Sequence, residues 1–193
     1  MFRRDSLHTA YAIETSDTLI HRLAWVFSTE GPIYSSPVIW NHTVYFASTD
    51  NNLYAVVDTS GILKWRCRLG NWIESTPTVA NGRIYVGCMD HKLYVVNAET
   101  GDKINEFDLD SPISSSPVLV DSSIIGVSQE GKVYALDTIS NQIKQLADLE
   151  EKVYAPLSAS DGVVYIHTQE HETLYALDVQ TGAMLWNLPL SSK

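Results

Sequence analysis

The sequence predicts an all-β fold, a β-propeller of about four four-stranded blades. Three observations predict it. A unit of forty residues recurs four times in phase, polar and apolar residues alternate with period two inside each unit, and turn residues separate runs of strand length.

The repeat is visible in several positions at once. Pro37, Pro77, Pro117 and Pro156 each follow a small residue, and Tyr54, Tyr94, Tyr134 and Tyr175 each sit in an "LY" or "VY" pair. Gly61, Gly101 and Gly182 share a third phase, with Asn141 in the third copy. The runs "VYFAS", "IYVGC", "IIGVS" and "VYIHT" are β-branched and aromatic, as are "NLYAVV", "KLYVVN", "KVYALD" and "TLYALD". Between them lie "TDNN", "MDH", "QEG" and "QEHE", which is turn chemistry. A further run, such as "ILKWRCRL" or "AMLWNLPL", follows each pair. A sandwich also uses many short strands, but it has no reason to repeat one sequence four times in phase; radial stacking of blades does.

This divides the chain into an N-terminal extension, residues 1–22, and a repeat region, residues 23–193. The units are 31–69, 70–109, 110–149 and 150–190, with an extra outer strand expected over 23–28 because Trp25 lies forty residues before Trp65. Spacing leaves three closures open: a four-bladed ring, an open arc, or half of a larger ring completed by a second copy as a homodimer. The surplus strand fits a larger ring better than a self-closed four, and an arc leaves apolar blade faces wet.

Composition narrows the partners. With 13 basic and 23 acidic residues the net charge is −10, a field that repels phosphate backbones and speaks against nucleic acid. No apolar run is long enough for a transmembrane helix, and "MFRRDSLHTAYAIETSD" lacks the apolar stretch of a signal peptide. Cys67 and Cys88 form neither CxxC nor a disulfide framework and read as buried free thiols.

The segment "ALDVQTGAMLW", Ala176 to Trp186, resembles the AxDxxxGxxxW tryptophan-docking motif of the pyrroloquinoline-quinone (PQQ) type propeller repeats. The opening "MFRRDSLHTAYA" is similar to the segment that often precedes such arrays. The resemblance implies that Trp25, Trp65 and Trp186 pack between neighbouring sheets over Gly61, Gly101 and Gly182. Some units depart from it: Val57 stands for the Asp in unit one, Asn105 for the Trp in unit two, and Asn141 and Gln145 for the Gly and Trp in unit three. Two missing indoles remove apolar burial of a few kcal/mol each unless a neighbour substitutes.

Quinoprotein dehydrogenases with this repeat hold the quinone on the propeller axis beside calcium, above a pair of adjacent cysteines. This chain has no Cys-Cys pair, so the resemblance implies a non-enzymatic member with no catalytic residues and no cofactor. No GxSxG, P-loop or HExxH string occurs. His167 and His171 form an HxxxH pair, but across a strand end and turn that spacing does not bring both rings to one face, so no metal is expected.

One polar pattern stands out. Asp50, Asp90, Glu130 and Glu170 recur every forty residues at the turn between the second and third strands. There a carboxylate either starts a tight turn by accepting a backbone N–H or belongs to a functional rim. The inter-blade links add Glu30, Glu74, Asp110, Glu150 and Glu151 with Tyr34, Trp72 and Tyr154. Together these describe an acidic rim around an aromatic mouth, a seat for a protein partner or extended peptide. Trp72 either fills a blade contact or anchors a ligand. The functional expectation is a non-catalytic scaffold for protein recognition or assembly. A fragment of a quinoprotein dehydrogenase and a ligand-sensing domain of a larger receptor remain as alternatives. A periplasmic or cell-surface setting is implied by the resemblance alone.

Overall fold

The computed structural model describes residues 23–190. Among these described residues, sixteen strands form four antiparallel sheets, each a meander in sequence order. Blade 1 comprises β1 (Val38–Trp40), β2 (Thr43–Ala47), β3 (Asn52–Val57) and β4 (Leu63–Arg68). Blade 2 comprises β5 (Thr78–Ala80), β6 (Arg83–Gly87), β7 (Lys92–Asn97) and β8 (Lys103–Asp108). Blade 3 holds β9 (Val118–Val120), β10 (Ser123–Val127), β11 (Lys132–Asp137) and β12 (Ile143–Asp148), and blade 4 holds β13 (Ser158–Ser160), β14 (Val163–His167), β15 (Thr173–Asp178) and β16 (Met184–Pro189). Among the described residues no helix is long and apolar enough to cross a membrane.

Local chemistry sets each turn. The first hairpin of a blade is a two-residue loop, and Asn41–His42, Asn81–Gly82 and Asp161–Gly162 hold positive φ at both central residues, the geometry that matches the twist of antiparallel strands. The hairpin between the third and fourth strands is closed by an i→i−4 bond, from Gly101 N–H to Asn97 O in blade 2 and from Gly182 N–H to Asp178 O in blade 4. The motif's Asp has a local task in this turn: Asp137 Oδ1 accepts from the N–H groups of Ile139 and Ser140, and Asp178 Oδ1 from that of Thr181.

The blades stack through their faces. One apolar cluster joins blades 1 and 2 (Tyr45, Leu53, Ala55 against Ile84, Tyr94, Val96), a second joins blades 2 and 3, and a third joins blades 3 and 4. Near the axis, hydroxyls tie one blade to the next: Ser36 N–H donates to Thr76 Oγ1 at 3.0 Å, and Thr76 N–H to Ser116 Oγ at 2.9 Å. Within blades 1 to 3, Ser35, Ser75 and Ser115 each donate a buried hydroxyl bond to the end of the second strand. Ala155 takes that place in blade 4. No core cluster among the described residues joins blade 4 back to blade 1. The architecture is a partial propeller of four blades.

Two expectations need correction. Residues 23–28 are not a strand. Trp25 nevertheless lies where an outer-strand indole belongs: it covers Gly61, and its Nε1–H donates to Asp58 O at 2.8 Å. Phe27 follows it onto Phe46 and Tyr54, with ring centroids 5.7 and 5.5 Å apart. The indole can dock without a sheet because its contacts are to the next blade and not to its own. The homodimer likewise finds no support, because Trp25 and Phe27 already cover the blade-1 face that a second copy's last blade would have to meet.

The departures from the motif are compensated. At the contact between blades 2 and 3, Arg83 Nη1 reaches Thr138 O (3.2 Å) and Asn141 Oδ1 (2.8 Å), supplying from β6 the donor that Asn105 does not. Blade 3 then shifts its bulge. In blades 1, 2 and 4 the irregularity falls after the central Ala or Val of the third strand, so that Ala55 pairs with Trp65, Val95 with Asn105 and Ala176 with Trp186. In blade 3 it falls between Val133 and Tyr134, so Ala135 pairs with Lys144. Leu146 thereby packs into the core between blades 3 and 4, and its carbonyl lies over Gly182. A bulge re-aims the side chains beyond it.

Candidate functional site: an aromatic and acidic groove

The links that carry the chain from one blade to the next also build the most distinctive surface. Tyr34 lies before β1, Trp72 between β4 and β5, and Tyr154 between β12 and β13. All three are exposed, Trp72 by 56%. Trp72 is therefore not a blade contact. It is held by its backbone: its N–H meets Asn71 Oδ1 at 2.8 Å and its carbonyl accepts from Met89 N–H at 3.0 Å, which leaves the ring facing outward.

A cavity of about 450 Å³ is lined by Tyr34 and Trp72 with Glu30, Asp50 and Glu74. A second, of about 290 Å³, shares Tyr34 and Glu74 and extends to Ser114, Ser116 and Tyr154. The two form one groove because they share a wall. Its floor holds the Ser36–Thr76–Ser116 hydrogen-bond chain, so the aromatic side chains stand on rigid backbone.

The carboxylate series divides. Asp50 Oδ2 accepts from Tyr54 OH at 2.7 Å and Asp90 Oδ2 from Tyr94 OH at 2.6 Å, while their Oδ1 atoms accept from the N–H groups of Asn52 and Lys92. These two start tight turns and latch the tyrosine of the next strand. In blades 3 and 4 the latch moves to the links: Tyr134 OH meets Asp110 at 3.1 Å and Tyr175 OH meets Glu151 at 2.6 Å. Glu130 is paired with Lys152. Of the series only Asp50 lines the groove; Asp90, Glu130 and Glu170 lie outside it.

The electrostatics follow from these contacts. Burial opposes the charge on Asp50, but hydrogen bonds from Tyr54, Asn52 and the Glu30 N–H outweigh it and hold the carboxyl below its usual range. At Glu151, too, burial is outweighed, by Thr168, Tyr175 and the neighbouring His171. His171 Nδ1 lies 3.5 Å from Glu151, so this ring is engaged with a link carboxylate. Burial pushes the Cys67 thiol up and that of Cys88 to about 12; both lie in the core between blades 1 and 2, protonated, with Cys88 Sγ behind the groove wall at 3.3 Å from Asn71 O and 3.5 Å from Trp72 O.

Sequence reasoning named Tyr34, Trp72, Tyr154, Asp50 and the link acids as rim residues. It missed Arg83, whose role depends on reaching into the next blade, and the hydroxyl chain Ser36–Thr76–Ser116, whose forty-residue spacing was available as a signal.

The comparisons agree with the architecture. The family described as "Outer membrane protein assembly factor BamB" matches residues 9–112 and again residues 89–192. No curated protein matches the sequence significantly. Among solved structures, BamB from Moraxella catarrhalis superposes with a TM-score of 0.73 at 17% identity, over 86% of this chain and 51% of that one. A quinohemoprotein alcohol dehydrogenase from Pseudomonas putida HK5 gives 0.70 at 14%, over 86% and 35%. The computationally designed Ika4 protein gives 0.74 at 13%, over 83% and 99%. The chain thus spans about half the length of that BamB. At such identities the structures share the fold alone, whereas the two family matches overlap and together run through nearly all of the sequence. The chain belongs to the BamB family of PQQ-type repeat propellers.

Proposed function

We propose that the chain is a non-catalytic scaffold whose groove receives an extended, basic segment of a protein partner. The observation that carries this reading is the convergence of Tyr34, Trp72 and Tyr154, from three separate links, with Glu30, Asp50 and Glu74 in two adjoining cavities. Flat aromatic faces beside carboxylates suit the aliphatic stems and charged ends of Lys and Arg. The net charge of −10 adds long-range attraction for a basic partner. The family's description as an outer membrane protein assembly factor supports an assembly role in an extracytoplasmic setting.

Dehydrogenase chemistry does not suit this site. Pyrroloquinoline quinone is a tricarboxylate, and the groove presents Glu30, Asp50 and Glu74. The two thiols are buried in the core between blades 1 and 2; Cys88 Sγ lies behind the groove wall, against Trp72 O, and neither thiol lines the groove.

Calorimetric titration with short peptides carrying Lys or Arg at alternate positions tests the reading. Binding that weakens about tenfold in each of Trp72→Ala, Tyr154→Ala and Glu74→Gln, and falls with added salt, supports it. Equal binding by the variants at unchanged melting temperature rejects it. Titration with quinone and Ca²⁺, followed by quinone absorbance, tests the dehydrogenase alternative.

A further inference from the structure

The carbonyl that follows the third strand of blades 1, 2 and 3 receives a side-chain donor from the segment or blade before it. Asp58 O accepts from Trp25 Nε1 at 2.8 Å, Ala98 O from Trp65 Nε1 at 3.1 Å, and Thr138 O from Arg83 Nη1 at 3.2 Å. Val179 O holds that place in blade 4, and among the described residues no donor reaches it. The reasons lie in blade 3. Gln145 is exposed and turns to Ala147 O, the Leu146 side chain covers the core but has nothing to donate, and Lys144 Nζ passes to the neighbouring Gln180 O at 3.1 Å. Ser123, paired with Asp137, holds the register position that Arg83 holds opposite Asn97. Its short side chain stops where that of Arg83 continues into the next blade.

What is left is a cavity of about 360 Å³, lined by Ser123, Ala135 and Val179 with the acidic residues Asp121 and Asp137. We propose that this cavity seats a guanidinium group, carried by a free alkylguanidine or by an arginine of a protein partner. The contact between blades 2 and 3 already holds such a group, since Arg83 Nη1 reaches Asn141 Oδ1 at 2.8 Å as well as Thr138 O. In blade 4 the main-chain acceptor is Val179 O, and Gly182 stands where Asn141 does, so the second acceptor is a carboxylate instead of an amide. Asp137 gives Oδ1 to the N–H groups of Ile139 and Ser140, which leaves Oδ2 for the ligand. A planar cation with several N–H donors satisfies a carbonyl and a carboxylate together, and its alkyl stem lies along Ala135. None of these residues except through the fold touches the aromatic groove, and the site stands whether or not that groove binds peptide.

The amide resonances of Ser123, Ala135 and Gln180 report on the cavity in two-dimensional NMR of the full chain. Titration with millimolar propylguanidinium is expected to move them saturably, and propylammonium to bind at least about fivefold more weakly. Asp121→Asn should weaken binding about threefold. Ser123→Arg fills the cavity from within, as Arg83 does at its own contact, and should abolish the shifts while raising the urea midpoint. A capped peptide with one arginine between glycines tells the two sources apart: tighter binding than propylguanidinium assigns the site to a partner's arginine, weaker binding to a free alkylguanidine. Shifts that do not saturate, that propylammonium reproduces, or that persist unweakened in Asp121→Asn or in folded Ser123→Arg overturn the proposal. Trp72→Ala should leave these shifts unchanged, so a failure of the groove reading is distinguishable from a failure of this one.

Discussion

The indole of Trp65 lies directly on Gly101, so that a Cβ built at Gly101 would come within 2.7 Å of Trp65 Cδ2. Blade 1 is fastened to blade 2 at this point, and Gly101 also holds φ at +79°, where L side chains are strained.

These two demands can be separated. Gly101→Ala meets both strain and clash and is expected to cost about 3 kcal/mol or more. Gly82→Ala, at φ +71° with nothing within 4 Å of its Cβ, meets strain alone and should cost about 1–2 kcal/mol. Urea denaturation at constant m-value reads the difference; equal losses would show that the indole is not seated on Gly101.

The shifted bulge in blade 3 predicts an inversion of what the repeat suggests. Gln145 occupies the tryptophan column in sequence but is exposed, whereas Leu146 packs against the core between blades 3 and 4. Leu146→Ala should therefore destabilise by about 2 kcal/mol, and Gln145→Ala by less than about 0.5 kcal/mol. The reverse order in thermal denaturation would restore the regular register.

The tyrosine latches predict a loss of stability in alkali. Burial, then the hydrogen bond to a carboxylate, pushes Tyr54, Tyr134 and Tyr175 each up to about 12. In the unfolded chain a phenol titrates near 10. Between these values the folded state keeps protons that the unfolded chain has lost, so stability is full below about pH 10 and falls as pH rises toward 12. Phenolate absorbance should show a lagging subset of tyrosines in the native chain and none in denaturant.

In acid the sign reverses. Asp50 and Glu151 are held below their ordinary values, so the unfolded chain takes up protons first as pH falls through about 4, and stability declines there. Tyr54→Phe should flatten that decline by releasing Asp50. An unchanged pH profile in denaturant-midpoint measurements would exclude the latch.

The thiols offer a further check. Buried and protonated, Cys67 and Cys88 should react with a thiol reagent at neutral pH at least about a hundredfold more slowly in the native chain than in denaturant. Rapid native labelling of Cys88 would mean that blades 1 and 2 open readily.

The four-stranded unit, the number of its copies and the turn chemistry are legible in the sequence, because alternation and hairpin residues act over a few neighbouring positions. Through its resemblance to the tryptophan-docking motif the sequence also marked Trp65 and Gly101 as docking residues, and the structure pairs them. The contacts between blades are not legible in this way. Arg83 serves a contact that Asn105 does not, from a different strand; Leu146 replaces the tryptophan column through a one-residue bulge that spacing does not record; Trp25 docks without belonging to a sheet. Asp50 and Asp90 share a phase with Glu130 and Glu170, yet only the first two latch a tyrosine, because the later links bring Asp110 and Glu151 within reach instead. In each case the physical reason is the same. A face is buried by whatever side chain reaches it in space, and residues far apart in the chain compete for that place.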